Sequence, residues 1–155
     1  GMSSRLFQEV REKRGLCYSV FSFASAYEDA GQIGVYAATS PEHGVELMDT
    51  TSRVMLSITD AVTEAEVARA KAQLKASLVM NLESAAARAD QIARQYLAYG
   101  EVPAIGTLIG KIDAVSKDQV RDLARQLFKS QTPAYSAVGH IDTLSDYTTL
   151  VKRFA

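Results

Sequence analysis

The stretch Arg11-Glu12-Lys13-Arg14-Gly15-Leu16-Cys17-Tyr18 decides how this chain is read, because a basic helix ends inside it and an apolar strand begins. Upstream, Leu6, Phe7 and Val10 fall at i, i+1 and i+4 and form one apolar side, while Glu9, Glu12 and Lys13 take the wet side. Ser3 or Ser4 can cap the start. Gly15 suits the left-handed residue that closes such a helix, since glycine has no Cβ to collide with the backbone there. Arg11 lies about one helical turn (~5 Å of rise) before Gly15, and Tyr18 three strand residues (~10 Å) after it. With long side chains the two heads can meet.

Such a pair suits a peptide carbonyl. Arginine presents a permanently charged planar fork, and tyrosine an O–H donor on a rigid ring. If that carbonyl is being hydrolysed, each donor aimed at its developing negative charge is worth roughly 10²–10³ in rate. Both residues also have structural readings: an arginine near a helix C-terminus favours the negative end of the dipole, and a tyrosine opening a strand is commonly packing. Spacing alone leaves these alternatives open.

Working outward, Cys17 to Tyr27 reads as a strand with Phe21 and Phe23 on one face and Val20, Ala24 and Ala26 on the other. Glu28-Asp29-Ala30-Gly31 supplies a turn, and Gln32 to Thr39 returns antiparallel with Ile33, Val35 and Ala37 alternating. Ser40 as N-cap and Pro41 at the first helical position start a helix to about Ala61. Thr63-x-x-Glu66 is a capping box for another, with Val67, Ala70, Leu74 and Leu78 at helical spacing. A break near Ser84 precedes the stripe Ile92, Tyr96 and Leu97, which Gly100 ends. Ile105, Leu108, Ile109 and Ile112 make a short helix after Val102-Pro103. Ser116-x-x-Gln119 caps the next, with Val120, Leu123, Leu127 and Phe128 inward. Ala134 to Gly139 reads as a final strand, and Leu144, Tyr147, Leu150 and Val151 as a helical stripe. Strands at both ends with helices between predict an α+β fold, an antiparallel sheet with helices packed on one face, as one domain over residues 1–155.

Composition bounds the rest. Hydrophobic residues at 47% and charged ones at 23% suit a globular chain of 155 residues with a real core. A formal net charge of -1 gives no global footprint for nucleic acid, and no apolar run approaches the ~20 residues that span a bilayer. A bacterial cytoplasmic or periplasmic setting agrees with this composition. The single cysteine, Cys17, excludes an internal disulfide and reads as a small core residue.

The run Gly1 to Val20, GMSSRLFQEVREKRGLCYSV, resembles the signature of the second, non-zinc half-domain of insulinase/pitrilysin-type zinc peptidases, on their mitochondrial processing peptidase-like branch. Ser40-Pro41-Glu42, Ala72 to Leu78, Ser84 to Ala89, Ile112 to Ser116 and Ala137-Val138-Gly139 extend the likeness over nearly the whole chain. The resemblance implies two facing halves around a chamber. In this half, an Arg and a Tyr with six residues between them reach the substrate beside the zinc; Arg11 and Tyr18 have that spacing. It also implies that a strand and a helical segment precede Gly1 in a longer parent. Peptide or unfolded polypeptide would be the substrate, bound partly by strand addition.

Those enzymes hold zinc with an H-x-x-E-H helix, which this chain lacks; its histidines, His43 and His140, stand alone in sequence. Zinc is therefore expected in a partner half-domain or subunit, with no cofactor or metal here. An open sheet edge invites another copy of the chain. Three function classes follow: the substrate-binding half of a metalloendopeptidase, a scaffold that kept the fold without the chemistry, or an unrelated enzyme acting through Cys17.

Overall fold

The computed structural model describes residues 1–27 and 29–154; the expected turn residue Glu28 lies outside them. A π-helical segment Phe7–Glu12 leads to strands β1 (Ser19–Ala26) and β2 (Gly31–Ala38), which form an antiparallel pair. Helices α1 (Gly44–Ala61), α2 (Glu64–Met80), α3 (Ala85–Tyr99), α4 (Ile105–Ala114), α5 (Lys117–Lys129) and α6 (Tyr147–Val151) follow. The α+β architecture, an antiparallel sheet with helices, is as the sequence predicts.

Local signals explain the boundaries. Ser4 Oγ accepts from the Phe7 N–H at 3.2 Å, so it caps the first helical segment. In the capping box, the Thr63 N–H donates to Glu66 Oε2 at 2.9 Å while the Glu66 N–H donates to Thr63 Oγ1 at 3.3 Å. The Ser116 and Gln119 pair does the same for α5, at 2.8 and 3.1 Å. The break falls where expected: Ser84 Oγ accepts from the Ala87 N–H and starts α3, and Gly100 ends it at φ 71°. Ser40 departs from expectation. Its side chain makes no cap bond, and the first turn, Pro41–His43, is a 3₁₀ turn before α1.

Contacts divide the chain into two units. The first holds residues 1–26, 30–61 and 121–155. Its register pairs Val20 with Ala37, Phe21 with Tyr36 and Ser22 with Val35. The two-residue period therefore sends Val20, Val35 and Ala37 to a cluster with Val10, Leu16, Cys17 and Leu47. A second cluster joins Ala124, Phe128, Leu150 and Phe154, flanked by Met48, Met55 and Leu56 of α1. Asp60 closes α1 against α5, accepting from Arg125 at 2.9 Å. That guanidinium, aided by the Thr59 hydroxyl, draws the Asp60 carboxyl down to about 2. In the second unit, built mainly from 62–120, Lys71 and Lys75 of α2 donate to the Asp113 carbonyl and carboxylate of α4 at 2.9 and 2.7 Å.

Three further expectations change. Residues 134–139 form no strand: their backbone joins no ladder among the described residues, and Val138 is 99% exposed. Alternating apolar residues make a strand only where a partner edge accepts their hydrogen bonds. On α5 Phe128 and Leu127 face the cluster as expected and Ala124 joins them, but Leu123 is exposed. The stripe Ile92, Tyr96 and Leu97 is likewise open on α3.

Leu16→Ala should lower unfolding free energy in urea by about 2–5 kcal/mol, the range for emptying a packed core position. Val138→Ala should stay within about 0.5 kcal/mol, and equal effects at the two positions would contradict the core assignment. The Glu9 carboxyl, held down to about 2 by hydrogen bonds from Lys13 and then Arg14, should titrate there by NMR rather than at 4.5. Because the folded value is depressed, its contribution to stability is complete above 4.5 and is lost as pH falls through about 2. A midpoint near 4.5 in the folded protein would count against these bonds.

Candidate functional site

The corner between the first helical segment and β1 is built by three backbone bonds. The Lys13 N–H reaches five residues back to Gln8 O at 2.9 Å, a π-type closure. The Gly15 N–H bonds Arg11 O at 2.9 Å and the Leu16 N–H bonds Val10 O at 3.0 Å, with Gly15 at φ 61°. This is a left-handed helix cap, and a side chain at Gly15 would strain it. Leu16 and Cys17 drop at once into the core beside Val10. The Thr39 hydroxyl donates to the Leu16 carbonyl and ties the corner to the end of β2.

This turn brings the two sequence-predicted site residues together. The Arg11 guanidinium carbon lies 4.8 Å from the Tyr18 ring centroid and also 4.8 Å from that of Phe7. Each is a cation–π contact, electrostatic attraction between the charge and the negative ring face. Tyr18 is 83% exposed and the Arg11 side chain 35%. Among the described residues Tyr18 Oη makes no hydrogen bond, and the carboxylate nearest Arg11 is Glu12, at 4.0 Å from Nε.

The neighbouring arginines are differently placed. Arg5 donates to Ser57 Oγ at 3.0 Å and to the Ala61 carbonyl, joining the segment to the end of α1. Arg14 donates to the Glu9 carbonyl at 2.8 Å and its carboxylate at 2.6 Å. Those two forks are engaged by protein oxygens. Arg11 is held instead by ring faces, and a fork so held keeps its N–H donors for an incoming acceptor.

Cys17 is buried just before β1, and burial pushes its thiol up even though Arg11 pulls the other way. That is the reverse of what activates a nucleophilic cysteine. His43 is half-buried in the turn Pro41–His43, and His140 is exposed beyond Gly139. Among the described residues no group of three or more His, Cys, Asp or Glu could hold a metal ion. The described residues do not fit a zinc site. No helix in the described residues is long and apolar enough to cross a membrane.

Phe21 and Tyr36 stack on the sheet face away from the core, centroids 5.1 Å apart, and Phe23 lies over Gly34, where any Cβ would come within 2.5 Å of the ring. Tyr36 is exposed on this face. The contact that sequence reasoning missed is that of Arg11 with the Phe7 ring. Their i, i+4 relation was the available signal, and assigning Phe7 to the apolar stripe hid it.

A family description, Peptidase M16 inactive domain, matches residues 1–74, which include the whole corner. An uncharacterized zinc protease of Mycobacterium tuberculosis is 42% identical over 128 residues, covering 82% of this chain and 29% of that protein. An uncharacterized zinc protease of Bacillus subtilis, YmxG, is 38% identical over 128 residues, covering 82% and 31%. The mitochondrial-processing peptidase subunit beta of Bos taurus is 32% identical over 146 residues, covering 94% and 30%. The chain thus spans about three tenths of the length of these relatives. Among solved structures, a chain of complex III2 from Candida albicans, Inz-5 bound, superposes with a TM-score of 0.87 at 25% identity, covering 97% of this chain and 36% of that one. The chain belongs to the insulinase/pitrilysin-type (M16) zinc metallopeptidase family, as the C-terminal, non-zinc half-domain of its processing peptidase-like branch.

Proposed function

We propose that this chain is the substrate-binding, non-zinc half of a metalloendopeptidase, in which Arg11 and Tyr18 contact the carbonyl of the peptide bond being cut. The observation that carries the reading is the Arg11 guanidinium held over the ring of an exposed Tyr18, both with hydrogen-bond donors to spare. The zinc, when bound in the partner half-domain or subunit, supplies the Lewis acid and the activated water. Everything this chain contributes is positioning and charge stabilisation.

A peptide carbonyl oxygen accepts two hydrogen bonds in its ground state and gains negative charge as the tetrahedral intermediate forms. A fixed cation and a phenolic O–H directed there bind the transition state more tightly than the substrate, and only that difference accelerates the reaction. The Arg11 charge is permanent and the tyrosine ring rigid, so little reorganisation is needed at the moment of reaction. Among the described residues β1 pairs only with β2, and its other edge supports extended polypeptide as the substrate class, since a strand added there would satisfy free backbone groups. The same edge could pair a second copy of the chain.

A second reading, a scaffold or binding subunit without chemistry, draws on the likeness to a chain of complex III2. Mutation separates the two. In the intact parent enzyme, Arg11→Ala or Tyr18→Phe should lower peptide turnover by about ten- to a thousandfold, the range for losing one positioned donor, with zinc content unchanged. Full turnover in both variants would remove the pair from the mechanism. A parent protein without peptidase activity would select the scaffold.

A further inference from the structure

We infer that Phe7 is a positioning residue, which holds the Arg11 guanidinium at the substrate site by cation–π contact from a ring anchored in the core. The inference rests on the proposed role of Arg11 and deepens it.

The two rings that meet Arg11 at 4.8 Å are not equivalent. Tyr18 is 83% exposed and lies outside β1, so beyond its contact with Arg11 its ring is less restrained than one packed in the core. Phe7 is partly buried and packs against the cluster of Val10, Leu16, Cys17, Val20 and Leu47. A ring held by packing keeps its rotamer, and its face is a fixed patch of negative potential. Arginine carries four flexible side-chain torsions, and a carboxylate partner would fix them only by occupying the fork. A ring face restrains the guanidinium without consuming its donors. Arg5 and Arg14, whose forks are bound to protein oxygens, show the other way of fixing an arginine in this segment. Phe7 and Arg11 stand at i and i+4, so one helical turn builds the contact and the Gly15 cap fixes its distance from the strand.

The same packing explains how Phe7 acts on Tyr18 without touching substrate. Arg11 meets both rings, so removing the anchored one leaves the cation resting on the exposed one alone. Both donors then sample more positions, and the loss falls on the chemical step more than on binding.

The test uses the intact parent enzyme. Phe7→Leu should lower kcat by about two- to thirtyfold, the range of one lost cation–π contact, with KM nearly unchanged. Phe7→Tyr, which keeps the ring, should restore turnover. In an Arg11→Ala background Phe7→Leu should produce no further loss, because its effect passes through Arg11. The ring-current shift of the Arg11 side-chain protons in the NMR spectrum should shrink in Phe7→Leu and persist in Phe7→Tyr. Phe7→Met, which conserves volume, gives the same comparison if the leucine variant folds poorly. Equal losses with and without Arg11 would assign Phe7 to structure alone and overturn the inference. So would full activity of Phe7→Leu beside a crippled Arg11→Ala. Should Arg11→Ala itself be harmless, the failure lies with the proposed role of the pair, and the inference falls with it.

Discussion

Burial of Val10 at the end of one helical segment, and of Leu16, Cys17 and Val20 at the start of the next strand, forces the chain to reverse within a few residues. Only a left-handed residue closes the helix in that space, and Gly15 supplies it at φ 61° without a side chain to strain. The contact between Arg11 and Tyr18 is a by-product of this constraint. Residues on the core side of the corner are sealed, so those on the other side, Arg11 and Tyr18, are pressed together at the surface. The apolar cluster thereby sets the distance between two polar groups that share no hydrogen bond with each other.

Charge is distributed around the corner so that one arginine differs from its neighbours. Arg5 secures the segment to α1, and Arg14 satisfies a helix carbonyl together with Glu9. Arg11 is stabilised by aromatic faces, which attract its charge while leaving its donors available. The same cation opposes the upward push that burial gives the Cys17 thiol without overcoming it, consistent with a cysteine that packs rather than reacts. The family match covers this entire corner, whereas the open stripe on α3 lies beyond it.

Much of this was legible in the sequence because the signals were local. Thr63 with Glu66, Ser116 with Gln119, Ser84 and Gly100 each name a helix end through a side chain that bonds within three residues or a backbone that only glycine adopts easily. The meeting of Arg11 and Tyr18 followed from counting rise per residue across one turn. What was not legible depends on partners distant in sequence. Residues 134–139 carry a strand pattern, yet a pattern cannot report whether an edge stands beside it. Leu123 has helical spacing but falls outside the arc that Ala124 and Phe128 bury. The π-type closure at Lys13 changes only which carbonyl a backbone N–H finds, which leaves no mark on composition. Phe7 was read as core and is both core and a neighbour of the charge.

The account turns on where the two donors point when substrate is present. The most direct measurement is a crystal structure of the intact parent with a non-hydrolysable peptide, one whose scissile carbonyl is replaced by a tetrahedral oxyanion mimic. The account predicts an Arg11 nitrogen and Tyr18 Oη each about 2.7–3.2 Å from the mimic's oxygen, with the guanidinium still over the Phe7 ring. Both groups standing clear of that oxygen, with the peptide bound and the zinc in place, would contradict it.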